Sequence, residues 1–225
     1  MASLTKFIVY AANTGNSAKI SIALEALKAA YPDANLSYEV KFVDLSKKEQ
    51  KAPEYVKLNP NGRVPTLVDR SRNDFIVFES SAILIYLLQH YDPEYKLSFN
   101  PVTDPDAYSQ MLQWIFFVHG GFFPMQGQGA VHCSSVDPDQ ELSRKRYFDE
   151  TNRVYGILDK RLEGRKWVVG PGEGVYTVAD IVALAGIKLH KMARVNLDEY
   201  PNAKAWLERW LEKETVTAGY AALAR

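Results

Sequence analysis

Across 225 residues the chain has one cysteine, Cys133, and four histidines, at positions 90, 119, 132 and 190. A single thiol excludes an intrachain disulfide framework. Without a cysteine pair or an HxxxH or HExxH spacing, no metal site is expected. A reducing, cytoplasmic setting fits that usage. Net charge is missing too, with 27 Lys+Arg against 27 Asp+Glu. That balance gives no electrostatic case for nucleic acid or an anionic membrane surface. No apolar run reaches the ~18 residues of a membrane-spanning helix. The opening MASLTKFIVYAAN lacks a small-residue cleavage site and reads as a first strand, not a signal peptide. No repeat or low-complexity segment appears. What remains is 47% hydrophobic and 24% charged residues, ordinary for a globular chain of one large domain or two smaller ones.

The first third alternates strand-like and helix-like segments. Thr5–Tyr10 is short, apolar and β-prone. Ile20, Ala23, Leu24 and Leu27 then repeat at helical spacing, with Asn16 and Ser17 as candidate caps and Pro32-Asp33 as the stop. Leu36–Val43 alternates like a half-buried strand, and Pro53 opens a short helix ended by Asn59-Pro60-Asn61-Gly62. Val64–Val68 and Phe75–Phe78 flank a charged turn and read as a hairpin, followed by Glu79-Ser80 and an apolar helix, Ala82–Leu88. The order βαβ, short helix, ββα predicts a mixed four-stranded α/β sheet with helices packed on it over residues 1–92. A Pro-, Asp- and Asn-rich linker covers 93–103, and 104–225 reads as all-α. Its expected helices are Asp104–Gly120, Asp137–Leu162 with acids in its first turn, Ile181–His190 behind a Thr177–Asp180 capping box, and Pro201–Lys213.

The residues narrow this pattern. Asn59-Pro60-Asn61-Gly62-Arg63-Val64-Pro65-Thr66-Leu67-Val68, followed by Phe78-Glu79-Ser80-Ser81-Ala82-Ile83, resembles the glutathione-binding core of glutathione transferases. Thr177-Val178-Ala179-Asp180-Ile181 resembles the family's capping motif in the second domain. Gln113-Trp114, Gly120-Gly121, Pro124-Met125-x-Gly127-Gln128, Arg146-Tyr147 and Arg153-Val154-Tyr155 are similar to the nu class and to the fungal transferases related to the nitrogen-catabolite regulator. The resemblance spans nearly the whole chain. It implies a thioredoxin-like N-terminal domain, an all-α C-terminal domain, glutathione as co-substrate without a metal, a homodimer, and detoxification in the cytoplasm. Two departures stand out. The nu-type Thr-Pro-Asn-Gly is Thr14-Gly15-Asn16-Ser17 here, and no Asn/Gln-rich stretch precedes the first strand.

Glutathione carries a γ-glutamyl carboxylate and amine, a thiol and a glycine carboxylate. Glu79-Ser80 falls where a strand meets a helix. There Ser80 and free N–H groups can hold the carboxylate and Glu79 can accept from the amine; the plain alternative is that Ser80 or Ser81 only caps the helix. The resemblance makes Val64-Pro65 a candidate cis peptide, whose Val64 backbone would pair with the cysteinyl part of the ligand like an added strand; an ordinary proline opening an edge strand is the alternative. By resemblance Gln50, with Lys51, meets the glycine end, and Arg146 stands near the same ligand. Thiolate stabilisation is assigned first to Asn16, with a plain N-cap as its alternative role, second to Thr14 and third to Tyr10, which reads more as core. Phe122, Phe123 and Met125 are candidates for the electrophile pocket, at an expected break in the second domain's first helices. His119 and His132 are given no role, and Cys133 is a small hydrophobe.

The activity so implied is transfer of glutathione to hydrophobic electrophiles, with peroxide reduction as a possible companion. The alternatives are glutathione-dependent disulfide oxidoreduction, a non-catalytic glutathione-binding regulator, and a structural transferase-like domain. The absent Asn/Gln-rich stretch argues against the regulator.

Overall fold

A computed structural model describes residues 5–134 and 141–224, with the backbone alone over 130–134. The chain divides into two compact units, one made of Met1–Leu97 with Lys213–Arg225 and the other of Ser98–Glu212. Among the described residues no helix is long and apolar enough to cross a membrane.

In the first unit the strands are β1 (Phe7–Ala11), β2 (Tyr38–Phe42), β3 (Thr66–Asp69) and β4 (Phe75–Phe78), in the order β2-β1-β3-β4. β1 runs parallel to β2 and antiparallel to β3, and β3 pairs antiparallel with β4. The mixed sheet and its hairpin are therefore as the sequence predicts. β1 is central and buried on both faces, which is why it is a continuous apolar run rather than an alternating one. Asn73 and Asp74 make the hairpin turn at φ 56° and 53°, a conformation these two residue types tolerate. The helices are α1 (Gly15–Ala30), α2 (Pro53–Leu58) and α3 (Ser80–Tyr91).

α1 is buried over nearly its whole circumference, because α9 (Glu214–Ala221) packs on it. The sequence reading placed everything after 104 in the helical half, whereas residues 213–225 belong to the first unit. Gly219 is the reason. A Cβ there would lie 2.6 Å from Ile22 Cγ1 and 2.7 Å from Ile22 Cα, so the two backbones touch. Gly219→Ala is expected to cost about 1–3 kcal/mol by prising the helices apart. Thermal unfolding of the variant measures it, and an unchanged midpoint would show that the contact yields freely.

The second unit holds α4 (Pro105–Phe116), α5 (Phe123–Ser134), α6 (Glu141–Arg161), α7 (Val178–Ile187) and α8 (Pro201–Leu211). The expected break at Phe122-Phe123-Pro124 is instead a change of winding. A π-helical turn, Phe117–Phe122, joins α4 to α5. Pro124 has no N–H to donate, and the widened turn ends just before it. The expected Asp-Pro-Asp start at 137–139 lies outside the described residues. The capping box at α7 is present: Asp180 accepts from Thr177 N at 3.1 Å, and Thr177 Oγ1 accepts from Ala179 N at 3.3 Å.

Candidate functional site

Sheet topology gathers most of the predicted site residues at one end of the first unit. Tyr10, near the end of β1, pairs with Thr66 at the start of β3, and Thr66 pairs with Phe78 at the end of β4. The loop into α1, the Val64-Pro65 turn and the step into α3 therefore leave the sheet on the same edge, where the carboxyl ends of β1 and β2 also lie. This is where open α/β sheets characteristically place ligands.

α1 begins one residue after Thr14, which is its N-cap: Thr14 Oγ1 accepts from Ser17 N at 3.2 Å and donates to Ser17 Oγ at 3.0 Å. The expected caps Asn16 and Ser17 are thus corrected to Thr14, because only a residue ahead of the helix has the extended backbone that a cap needs. Gly15 is the first helical residue and has no positive φ. It occupies the position where proline is favoured, so the Gly-for-Pro departure leaves the geometry intact. Asn16, freed from capping, is half-buried. Its Oδ1 accepts from Lys19 Nζ at 2.9 Å and lies 3.5 Å from Ser80 Oγ. Its Nδ2 makes no hydrogen bond among the described residues.

Lys19 is wholly buried, a rare state for lysine. Its Nζ is also 3.5 Å from Ser80 Oγ. Burial brings this ammonium down to about 7, while the Glu79 carboxylate acts in the opposite direction.

Glu79 precedes α3 at φ 68°, an uncommon conformation for a residue with a side chain, which costs roughly 1–3 kcal/mol. Its side chain does not cap the helix but accepts from Asn61 Nδ2 at 3.2 Å. The N-cap residue Glu79 makes no side-chain cap bond to α3, while Ser80 at its first turn is nearly buried. The positive end of the helix dipole and its first N–H groups therefore face the same space as Ser80 and Asn16.

The loop before β3 is held by a polar cluster. Asn59 Nδ2 donates to Arg63 O at 2.7 Å and to Thr66 Oγ1 at 3.2 Å; Tyr55 Oη donates to Arg63 O at 2.7 Å and lies 2.9 Å from Thr66 Oγ1. The Val64-Pro65 bond is cis. Neither the Val64 N–H nor its C=O has a hydrogen bond among the described residues, while its side chain is half-buried. Gly62, at φ 61°, sits against Gln50 O and the Lys51 side chain, leaving 2.9 Å where a Cβ would go. Lys51 Nζ donates to Asn61 O at 3.1 Å, and Gln50 Oε1 is buried without a partner among the described residues.

Tyr10 lies elsewhere. It packs edge-on against Tyr55, with Lys41 Nζ 5.6 Å from its ring centre, and among the described residues its hydroxyl makes no hydrogen bond with Thr14, Asn16 or Ser80. Arg146 stands exposed on α6. Of the pocket candidates in the second unit, Phe122 is corrected: it is fully buried, its ring centre 4.8 Å from that of Tyr155, and it fills the space left by the missing side chain of Gly186. The π-turn rotates it into the helical core, while Phe123 and Met125 remain half-exposed. The side chains of His132 and Cys133 lie outside those described.

The residues that the sequence reading missed are Lys19, Asn59 and Tyr55. Lys19 had a signal: it lies three and four residues before Ile22 and Ala23, on a stripe that is otherwise apolar.

Comparison with known proteins agrees with this architecture. Residues 6–89 match the model of the glutathione S-transferase N-terminal domain and residues 111–214 that of its C-terminal domain. Glutathione S-transferase 2 of Schizosaccharomyces pombe is 37% identical over 210 residues, 87% of this chain and 89% of the relative. Disulfide-bond oxidoreductase YfcG of Escherichia coli is 34% identical over 89% of this chain and 88% of its own length. Among solved structures, a glutathione transferase homolog from Lodderomyces elongisporus, with two GSH per subunit, superposes with a TM-score of 0.87 at 31% identity, covering 98% of this chain and all of that one. Glutathione transferase URE2P8 of Phanerochaete chrysosporium, with oxidized glutathione, gives 0.86 at 31% identity over 98% and 96% of the two chains. With its N-terminal sheet, its helical second unit and both domain models matched in order, this chain belongs to the glutathione S-transferase family.

Proposed function

We propose that the chain is a glutathione transferase that binds glutathione at the converging N-termini of α1 and α3 and attacks electrophiles with its thiolate. The observation that carries this is the uncapped N-terminus of α3, with Ser80 nearly buried and next to Asn16. An uncapped, partly dry helix terminus is an anion site, and the γ-glutamyl carboxylate is the anion to suit it. Glu79 accepts from the neighbouring amine. The unpaired N–H and C=O of Val64 take the cysteinyl backbone as an added strand. Gln50 Nε2, with Lys51, is assigned to the glycine carboxylate by resemblance. Arg146 is assigned to the same ligand by resemblance, and Phe123 and Met125 to the electrophile.

Chemistry needs the thiolate. A free thiol has a pKa of about 8.5, and lowering it by ~2 units takes about 2.7 kcal/mol of preferential stabilisation of S⁻. Asn16 Nδ2 is the unengaged donor for that task. Thr14 is the weaker candidate, because its hydroxyl proton is already directed at Ser17. The sulfur then forms a bond to the electrophilic carbon, the leaving group departs with its electron pair, and the thiol proton passes to solvent.

Calorimetry with glutathione is the test. Ser80→Ala is expected to weaken binding by roughly 10–100-fold, the loss of a charge-assisted hydrogen bond. No measurable binding by the unaltered chain would sink the reading. A panel of aryl halides, peroxides and mixed disulfides then defines the activity, and binding without turnover of any of them would mark a regulator. The second reading is disulfide reduction, in which one bound glutathione thiolate attacks a disulfide and a second displaces the product thiol. It is favoured by the name of the E. coli relative and by the two glutathiones in the Lodderomyces structure. It needs no protein cysteine and predicts hydroxyethyl disulfide turnover exceeding aryl-halide conjugation. A homodimer in the cytoplasm completes the proposal, with sedimentation analysis to check the dimer.

A further inference from the structure

We infer that Lys19 is a positioning residue for thiol activation: its buried ammonium fixes the orientation of the Asn16 carboxamide and places a positive charge behind it. This builds on the proposed glutathione site. The reasoning starts from an asymmetry of the two groups. An ammonium has three donors and no acceptor, whereas a carboxamide has one oxygen and one NH₂. Lys19 Nζ, 2.9 Å from Asn16, can therefore meet only its oxygen, as the contact with Oδ1 records. Ser80 Oγ approaches the same oxygen at 3.5 Å. With Oδ1 held inward by Lys19, Nδ2 is turned to the other side, where it has no partner among the described residues. Were the amide to flip, the ammonium would face an NH₂ group, and Asn16 would offer a ligand sulfur an acceptor in place of a donor.

Charge acts in the same direction. Lys19 is wholly buried, so in its protonated form, below about pH 7, its field reaches Asn16 with little screening and polarises the carboxamide, making Nδ2–H a stronger donor. Glu79 is the charged neighbour that partly offsets it. A stem packed within α1 needs no such head group for stability, since burying an ammonium is costly. Its placement among Asn16, Ser80 and Glu79 makes sense as a device of the site. Lys19 acts through Asn16.

The test uses the full chain with Lys19→Met, Lys19→Gln, Asn16→Ala and the double variant Asn16→Ala/Lys19→Met. The readouts are the ultraviolet titration of bound glutathione thiol and calorimetry with S-methylglutathione, which has no thiol to ionise. Lys19→Met is expected to raise the bound thiol pKa by about one unit or more, a tenfold loss of thiolate at neutral pH. Activity should return as pH rises, and S-methylglutathione affinity should stay within about threefold of the unaltered chain. Lys19→Gln, which keeps a donor to Oδ1 but no charge, should shift the pKa by less. The double variant should match Asn16→Ala alone, because the effect runs through that amide. An unshifted thiol pKa in Lys19→Met, or additive shifts in the double variant, overturns the inference while glutathione binding by the unaltered chain stands. If Lys19→Met does not fold, the Lys19→Gln titration decides by the same criterion. Failure of the unaltered chain to bind glutathione overturns the proposed site instead.

Discussion

Replacing Asp180 with alanine is expected to lower the unfolding free energy by about 3–5 kcal/mol. Asp180 is fully buried at the start of α7. Its carboxylate accepts from Val168 N at 2.8 Å, from Thr177 N at 3.1 Å and from Thr177 Oγ1 at 3.4 Å. Alanine removes the Asp180 half of the capping box, its bond from Thr177 N. It leaves two buried backbone N–H groups unpaired at ~1–3 kcal/mol each. For a chain of this size that corresponds to a fall of roughly 10 °C in Tm. Asp180→Asn should cost less, because one acceptor oxygen remains. The deficit should also depend on pH. Burial pushes the Asp180 carboxyl up to about 7, outweighing the hydrogen bonds that lower it. The folded value lies above the unfolded one, so the folded state holds more protons between pH ~4 and ~7. The resulting stabilisation is whole below that window and is lost as pH rises through 7. The gap between parent and Asp180→Ala should accordingly be wider at pH 5 than at pH 8. Urea unfolding at both values measures it, and a gap of under 1 kcal/mol at each would refute the role given to this carboxylate.

Asn16→Ala is expected to raise the pKa of bound glutathione thiol by about 1–2 units and to cut kcat/KM at pH 7 by roughly 10–100-fold. The loss has two parts. The donor Nδ2 disappears, and Lys19 Nζ loses its 2.9 Å acceptor, so its charge is no longer relayed toward the ligand. The deficit should shrink as pH rises, because free ionisation then replaces assisted ionisation. Tyr10→Phe should leave the titration unmoved, since Tyr10 packs with Tyr55 and Lys41. A thiol pKa that moves in Tyr10→Phe and not in Asn16→Ala would reverse the assignment.

The sequence by itself determined the order and type of nearly every element in the first unit. Each strand there is a β-prone run bounded by strong turn residues, and each turn or cap has a local chemical cause. The hairpin, the short helix opened by Pro53 and the capping box at Thr177–Asp180 follow from interactions within a few residues of chain, and the helix between the first two strands makes their pairing parallel. The resemblance of Val64-Pro65 and Glu79-Ser80 to a known binding core was legible for the same reason. These are contiguous motifs, read without knowing what lies opposite.

What only the tertiary structure decided depends on partners far apart in the chain. Thr14 rather than Asn16 proved to be the cap, and that freed Asn16 for Lys19 and, across 64 residues, for Ser80. α9 joined the first unit because Gly219 lets its backbone meet Ile22, a contact that helical periodicity cannot register. Phe122 turned into the helical core because it closes the π-turn, whose wider winding shifts the phase of the side chains along it. Lys19 is the plainest case. Its position on an apolar stripe was visible in the sequence, but its burial beside Asn16, Ser80 and Glu79 depends on strand register and on helix packing. Periodicity along one element says which face is buried; it does not say which polar groups from other elements are buried with it.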